Sequence, residues 1–333
     1  MAKRLNLSTA AVSKALNDYP DISLATKKLV KSYAKKVGYK ANSQASFLRS
    51  QKSKTIGVII PDITNPFFTK ILKAIMNKAY KNDYSVILGN SKESFSLEEK
   101  LVNQFLQQKV DGILMSLAND TSQYKHLENI LADKTVLVLF DKVAKLINCS
   151  KVIVDDKDGG FKATEHLIKK GCTKIAHFRG GLNPQNSIDR YLGYREALSV
   201  NKISFDPNKV LITSSGSIEQ GYILAKKLYE SGIEIDGLFC ITDMVALGAI
   251  TFFKEQKIDI PNEISVIGFS NTMVGKLVYP SLSTIDQKAS KIGAEAMRLF
   301  LSEEKMLKTE NRLENQSLVL KTTLIKREST QRI

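Results

Sequence analysis

The chain has 333 residues, with 49 Lys and Arg against 34 Asp and Glu and a formal net charge of +15. Such a length leaves room for two or three domains with substantial cores and excludes a mini-protein held together by staples. Cys149, Cys172 and Cys240 follow no C-x-x-C or zinc spacing, no run reaches the ~18 apolar residues of a membrane span, and the amino terminus has no signal-peptide core. These features predict a cytoplasmic protein with reduced, buried cysteines and no membrane partner.

The charge is unevenly placed. Residues 1–54 hold twelve Lys/Arg against two acids, Asp18 and Asp21, a surplus of ten, which leaves a surplus of five for the other 279 residues. A basic segment with helical periodicity is a folded module that attracts a polyanion, and nucleic acid is the first candidate.

Within that module, Ser8 is a suitable N-cap for a short helix ending near Asn17. Its inward stripe is Val12, Ala15 and Leu16; the opposite stripe is Thr9, Ala10, Ser13, Lys14 and Asn17. Ser23 caps a longer helix in "SLATKKLVKSYAKKVGY", with Val30, Ala34 and Val37 at helical spacing and Gly38 as the stop. After Lys54 the texture changes to β-rich runs alternating with amphipathic helices: "TIGVII", "YSVILGN", "DGILMS", "TVLVLF", "KVIVD", "KIAHF", "KVLIT", "DGLFCI" and "ISVIGF". Such alternation predicts parallel sheets wound by right-handed crossovers, and nine strands are too many for one small sheet. "VDGILMS" and "IDGLFCI" echo each other, as if one α/β unit occurred twice. A last strand is expected in "SLVLKTTLI".

Ligands of open parallel sheets bind beyond the carboxyl ends of the strands. Those positions hold "PDITNPFF", "GNS", "RGGLNPQNSIDR", "TDMVALG" and "SNTM", a mixture of aromatic faces with Asn, Asp, Arg and Ser that suits a small polyhydroxylated or planar ligand. Phosphate-loop, dinucleotide, zincin and nucleophile-elbow motifs are all absent; His126, His166 and His177 are far apart in sequence, and His166 and His177 read as ordinary structural or surface residues. No enzyme, cofactor or metal site is predicted.

Together the pieces resemble the LacI/GalR family of bacterial transcription regulators over nearly the whole chain. "LSTAAVSKALN" is similar to the family's recognition helix, "NSQASFL" to its hinge pattern N-x-x-A-x-x-L, and "TIGVIIPDITNPFF" to the entry of its effector core. "DGGFKATEHLIKKG", "DMVALGAI", "EISVIGFSN", "YPSLSTIDQ" and "LIKREST" follow in family order. The resemblance implies an α/β protein with a helix-turn-helix headpiece (1–40), a hinge (41–54) and a two-lobed core (55–333) like periplasmic binding proteins. The implied N-lobe takes residues 55–155 and 284–312, and the C-lobe 156–283 and 313–330.

It further implies a homodimer on a double-stranded operator. Thr9, Ala10 and Lys14 would read bases in the major groove, with Ser8, Ser13 and Asn17 on phosphates. Leu48 would wedge into the minor groove, with Ala45 allowing the two hinges to approach and Arg49 on the backbone. Phe67, Arg190, Asp243 and Gln287 would contact an effector, a sugar or sugar derivative, with Asn65, Phe68, Asn90, Asn186, Ser270 and Asn271 beside them. Asp243 has a nearly equal alternative as a cap of the helix in "DMVALGAI".

The chain also departs from the family pattern. Met1 falls inside the first helix, whose missing cap alone is expected to cost about 1 kcal/mol; a start assigned too far downstream is the favoured explanation. Lys14 stands where Arg is usual and cannot offer a bidentate fork. Ala41 replaces a proline before the hinge, Ser270 replaces an effector-binding Asp, and Cys172 and Lys288 replace His and Pro. The competing functions are a sugar-binding protein or a sugar-acting enzyme without a DNA role.

Overall fold

The computed structural model describes residues 1–16, 18–39, 53–310 and 315–332, in two compact units, Met1–Ser53 and Lys54–Ile333. The expected hinge residues Ala41, Ala45, Leu48 and Arg49, and the expected phosphate contact Asn17, lie outside the described residues.

In the first unit, α1 (Ala2–Leu5), α2 (Thr9–Leu16) and α3 (Leu24–Lys36) surround a small core of Val12, Ala15 and Val30, with Met1, Leu5, Leu7, Leu16 and Ile22 packed against it. Two caps set the starts: the Ser8 hydroxyl accepts the Ala11 N–H at 3.0 Å, and the Ser23 hydroxyl accepts that of Thr26 at 3.2 Å. Val37, expected on the inward stripe, is instead 50% exposed, because α3 stops at Lys36 and the chain turns at Gly38 with φ +61°.

The second unit contains two six-stranded sheets. The first is built from β1 (Thr55–Ile60), β2 (Ser85–Asn90), β3 (Gly112–Met115), β4 (Val136–Phe140), β5 (Ser150–Val154) and β11 (Ser317–Leu320), in the order β11-β5-β4-β3-β1-β2, all parallel. The second holds β6 (Ile175–Arg179), β7 (Val210–Ile212), β8 (Gly237–Cys240), β9 (Ser265–Phe269), β10 (Ser283–Asp286) and β12 (Thr323–Ile325), in the order β12-β10-β9-β8-β6-β7. Only β12 runs antiparallel to its neighbour among these pairs. Central strands buried on both faces explain the continuous apolar runs of the sequence.

Helices α4 (Pro66–Tyr80) and α12 (Ala289–Glu310) share one apolar core with the first sheet, and α5 (Phe95–Gln107) and α6 (Lys125–Ala132) share another on its other face. On the second sheet, α7 (Asp156–Lys169) packs with α8 (Gln185–Val200), and α9 (Ile218–Glu230) with α10 (Asp243–Glu255); α11 (Val274–Leu277) follows β9. Contact between α7 and α8 is so close that a Cβ on Gly160 would lie 2.3 Å from the Arg190 carbonyl oxygen. The three cysteines are free and buried.

Strand pairing corrects the expected lobe boundaries. Strand β10 pairs with β9, so residues 283–286 complete the second sheet instead of opening the return to the first. The expected single strand in "SLVLKTTLI" is two: β11 pairs with β5 in the first sheet and β12 with β10 in the second. The chain therefore passes between lobes three times, after β5, after β10 and at Lys321–Thr322.

Candidate functional site

Helix α2 of the first unit exposes Ser8, Thr9, Ala10, Ser13 and Lys14 together, because Val12 and Ala15 take the buried side. Its ends are chemically occupied. The Ser8 hydroxyl caps the helix, and the Lys14 ammonium is paired with Asp21. Asp18, with φ 58°, is held by Lys31 at 2.6 Å, so both acids of this basic unit are bound by its own lysines. These pairs raise the pKa of Lys14 and lower those of Asp18 and Asp21 through direct hydrogen bonds.

A cleft with about 610 Å³ of empty volume lies between the two lobes of the second unit. Of the sequence-predicted effector residues, Asn65, Phe67, Phe68, Asn186, Arg190, Ser270 and Gln287 line it. Phe67 and Phe68 sit on the first turn of α4, edge to face at 5.2 Å, where the Asn65 carboxamide caps the helix by accepting the Phe67 N–H at 3.0 Å. Arg190 is 3% exposed and lies 3.8 Å above the Phe269 ring. Its guanidinium donates to Asp156 at 2.8 Å, to the Ile241 carbonyl at 2.9 Å and to Gln287 at 3.1 Å. Gln287 in turn donates to the Ser270 hydroxyl at 2.9 Å. Asp156 opens α7 just after the first crossing and Gln287 follows β10 at the second, so one cleft-lining arginine holds two of the three crossings. The third is tied nearby, where the Thr322 hydroxyl donates to Asp158 at 3.0 Å. Burial pushes the Asp156 carboxyl up to about 7, with Arg190 opposing and Asp141 reinforcing the rise.

Three predicted residues do not reach the cleft. Asp243 is fully buried and faces β9 and β10: its carboxylate accepts from the Thr272 N–H at 2.6 Å, the Thr272 hydroxyl at 3.0 Å and the Thr284 hydroxyl at 2.5 Å. Its predecessor Thr242 caps α10 by accepting the Val245 N–H at 3.2 Å and lines the cleft instead. Asn90 ends β2 with its side chain accepting the Lys92 N–H at 3.3 Å. Asn271, with φ 53°, accepts from Arg327 at 2.6 Å and lines a neighbouring groove beside α4.

The cleft also contains a charged cluster that the sequence reading did not select: Glu93, Asn119, Asp141 and Lys142. Lys92 and Glu93 are consecutive left-handed residues, φ 50° and 58°, each at a cost of order 1 kcal/mol. That turn brings the Glu93 carboxylate to the Lys142 ammonium at 2.6 and 2.8 Å and to the Asn119 N–H at 2.9 Å. Asp141, also left-handed at φ 59°, is buried, and among the described residues its carboxylate receives only long contacts, from Asn186 of the other lobe at 3.3 Å and the Ser116 hydroxyl at 3.4 Å. Burial raises its pKa, opposed by Arg190 and Lys142. Asn119, Asp141 and Lys142 follow β3 and β4, so the strand-end rule applied to those two strands would have found them, whereas a left-handed turn places Glu93 three residues past the end of β2. Among the described residues no cluster of His, Cys, Asp and Glu is arranged to hold a metal, and no helix is long and apolar enough to cross a membrane.

The family model described as "Periplasmic binding proteins and sugar binding domain of LacI family" matches residues 53–328. The HTH-type transcriptional regulator RegA of Clostridium saccharobutylicum is 31% identical over 99% of this chain and 98% of its own. The ribose operon repressor of Halalkalibacterium halodurans is 30% identical over 91% and 88%. Among solved structures, the lac repressor dimer bound to operator and the anti-inducer ONPF superposes with a TM-score of 0.86 at 22% identity, covering 99% of this chain and 97% of that one.

Proposed function

Since this chain belongs to the LacI family, we propose that it is a transcriptional repressor which binds a pseudo-palindromic operator as a homodimer under the control of a sugar-like effector. Helix α2 enters the major groove with Thr9, Ala10 and Lys14 toward base edges and Ser8, Ser13 and Asn17 toward phosphates; the small side chains permit close approach. Ala45, Leu48 and Arg49 form the minor-groove hinge. The effector occupies the cleft, stacks on Phe67 and meets Arg190, Asn186, Gln287 and Ser270; Asp243, Asn90 and Asn271 take no part in its contacts. The protein works in the cytoplasm and no residue is given a catalytic role.

One observation carries this reading over a sugar-binding protein or a sugar enzyme. The unit Met1–Ser53, with a surplus of nine positive charges, presents on one short helix an exposed stripe of small residues ending in a lysine. Neither rival has a use for such a face. The effector acts by binding the DNA-competent and DNA-incompetent lobe arrangements with different affinity, and Arg190 connects it to the crossings where the lobes pivot.

The test is selection of duplexes from a random pool by the full-length chain, followed by affinity for the winner against salt. A palindromic consensus is expected, with affinity falling about a thousandfold or more between 50 and 200 mM salt. Arg190→Ala should keep operator binding and lose the response to ligand. Selection that enriches no sequence, with affinity indifferent to salt, overturns the proposal.

A further inference from the structure

Resting on the reading of the cleft as an effector site, we propose that the effector is an uncharged polyhydroxylated molecule, and that the Glu93–Lys142–Asn119 cluster with Asp141 makes the site reject phosphorylated and carboxylated forms of it.

The argument is an inventory of donors. Lys142 carries the one ammonium group in the lining, and an ammonium has three N–H bonds. All three have acceptors: the two Glu93 oxygens at 2.6 and 2.8 Å and the Asn119 carbonyl at 2.9 Å. Its side chain is 7% exposed, so solvent does little of this work. Glu93 is held in place independently by the Asn119 N–H and by its own left-handed backbone, so the pair is not free to part for an incoming anion. Arg190 has its charge matched by Asp156 and three of its five N–H bonds engaged, which leaves at most two for a ligand.

The unspent capacity lies elsewhere. Asp141 is a buried carboxylate with contacts of only 3.3 and 3.4 Å, and the Ser187 hydroxyl in the same lining is buried with no hydrogen-bond partner among the described residues. A carboxylate offers acceptors only; a hydroxyl offers both roles. The ligand complementary to an underused carboxylate, an orphan hydroxyl and a two-pronged remainder of an arginine is a set of neighbouring hydroxyls. One hydroxyl donates to Asp141 of the N-lobe while its neighbour accepts from Arg190 of the C-lobe, so the ligand itself bridges the lobes. A phosphate or carboxylate would meet Asp141 with no uncommitted cation, in a site where low dielectric strengthens the repulsion.

The test compares D-ribose with ribose 5-phosphate and D-glucose with glucose 6-phosphate and gluconate, by thermal shift and calorimetry on the full-length chain. A neutral member is expected to bind at least about tenfold tighter than its charged counterpart, with the shift lost in Arg190→Ala. Glu93→Gln, which releases the Lys142 charge, should narrow or reverse the preference; Asp141→Asn, which removes the repelling carboxylate by a different route, should narrow it too. A charged compound that binds as tightly as its neutral partner, with the same dependence on Arg190, overturns the proposal and leaves the effector reading standing. If neither class produces an Arg190-dependent shift, the effector reading fails and this inference with it.

Discussion

Removing Asp156 is the sharpest structural perturbation available, because it strands Arg190. In the native protein the Arg190 side chain is 3% exposed and the Asp156 side chain 5%, with Nε and Oδ1 2.8 Å apart. Asp156→Ala deletes the charge-balancing acceptor and leaves the guanidinium on two neutral oxygens, those of Ile241 and Gln287. Breaking one side of such a buried pair costs about 3–5 kcal/mol, most of it the penalty of the charge left behind. Asp156→Asn keeps a neutral acceptor in place and should cost about 1–2 kcal/mol, the difference between a charged and a neutral hydrogen bond. Removing both partners, in Asp156→Ala with Arg190→Met, should recover most of the loss, since no unpaired charge remains. Urea denaturation at constant slope measures these four stabilities and that of Arg190→Met alone, which closes the cycle. A cost below about 1 kcal/mol for Asp156→Ala, together with simple additivity in the double variant, would refute the claim that this pair is the charged lock of the lobe crossings.

Gly160→Ala pushes a methyl group into the Arg190 backbone and should destabilise by about 1–3 kcal/mol while weakening the ligand response, read by the same denaturation and by calorimetry. Asp21→Asn releases Lys14 and removes a negative charge from the headpiece, so operator affinity should rise a few-fold at low salt and the gain should fade at high salt, as measured by fluorescence anisotropy. Leu48→Ala should weaken operator binding much more than non-specific binding; equal weakening of both would remove the wedge. His166 is lowered to about 4, chiefly by burial and then by Lys326, Lys170 and Lys169. An unfolded histidine takes up its proton near pH 6.5 and the folded one not until about 4, so its contribution is complete above that range and is lost as pH falls. Asp156 and Glu303, both pushed up to about 7 by burial, act in the opposite sense across the same interval. The histidine is therefore isolated as the difference in melting temperature between wild type and His166→Gln from pH 7 to 4.5, which should shrink toward acid; a constant difference would refute it.

Much of the site was legible because strand ends point at it. "PDITNPFF" delivered Asn65, Phe67 and Phe68, and "RGGLNPQNSIDR" delivered Asn186 and Arg190, all in the cleft lining. What stayed hidden depends on backbone turns that composition does not encode. Asn90 was the predicted residue after β2, yet two left-handed residues carry the chain on so that Glu93 lines the cleft instead. Asp243 and Thr242 differ by one position at a helix start, where a rotation of about 100° per residue separates the cleft from the core. The tail "SLVLKTTLI" reads as one strand because both halves have the same apolar alternation; only pairing distinguishes the sheet that each half joins.

That divided tail bears on how the protein is made. During synthesis β5 has no outer neighbour in the first sheet, and β10 none in the second, until residues 317–325 have left the ribosome. Both lobes thus wait for the same few residues, and a nascent or prematurely terminated chain exposes two open sheet edges at once, each a template for pairing with another chain. A chain so constructed cannot complete one lobe before the other: a single segment, residues 317–325, supplies the outer strand of both sheets.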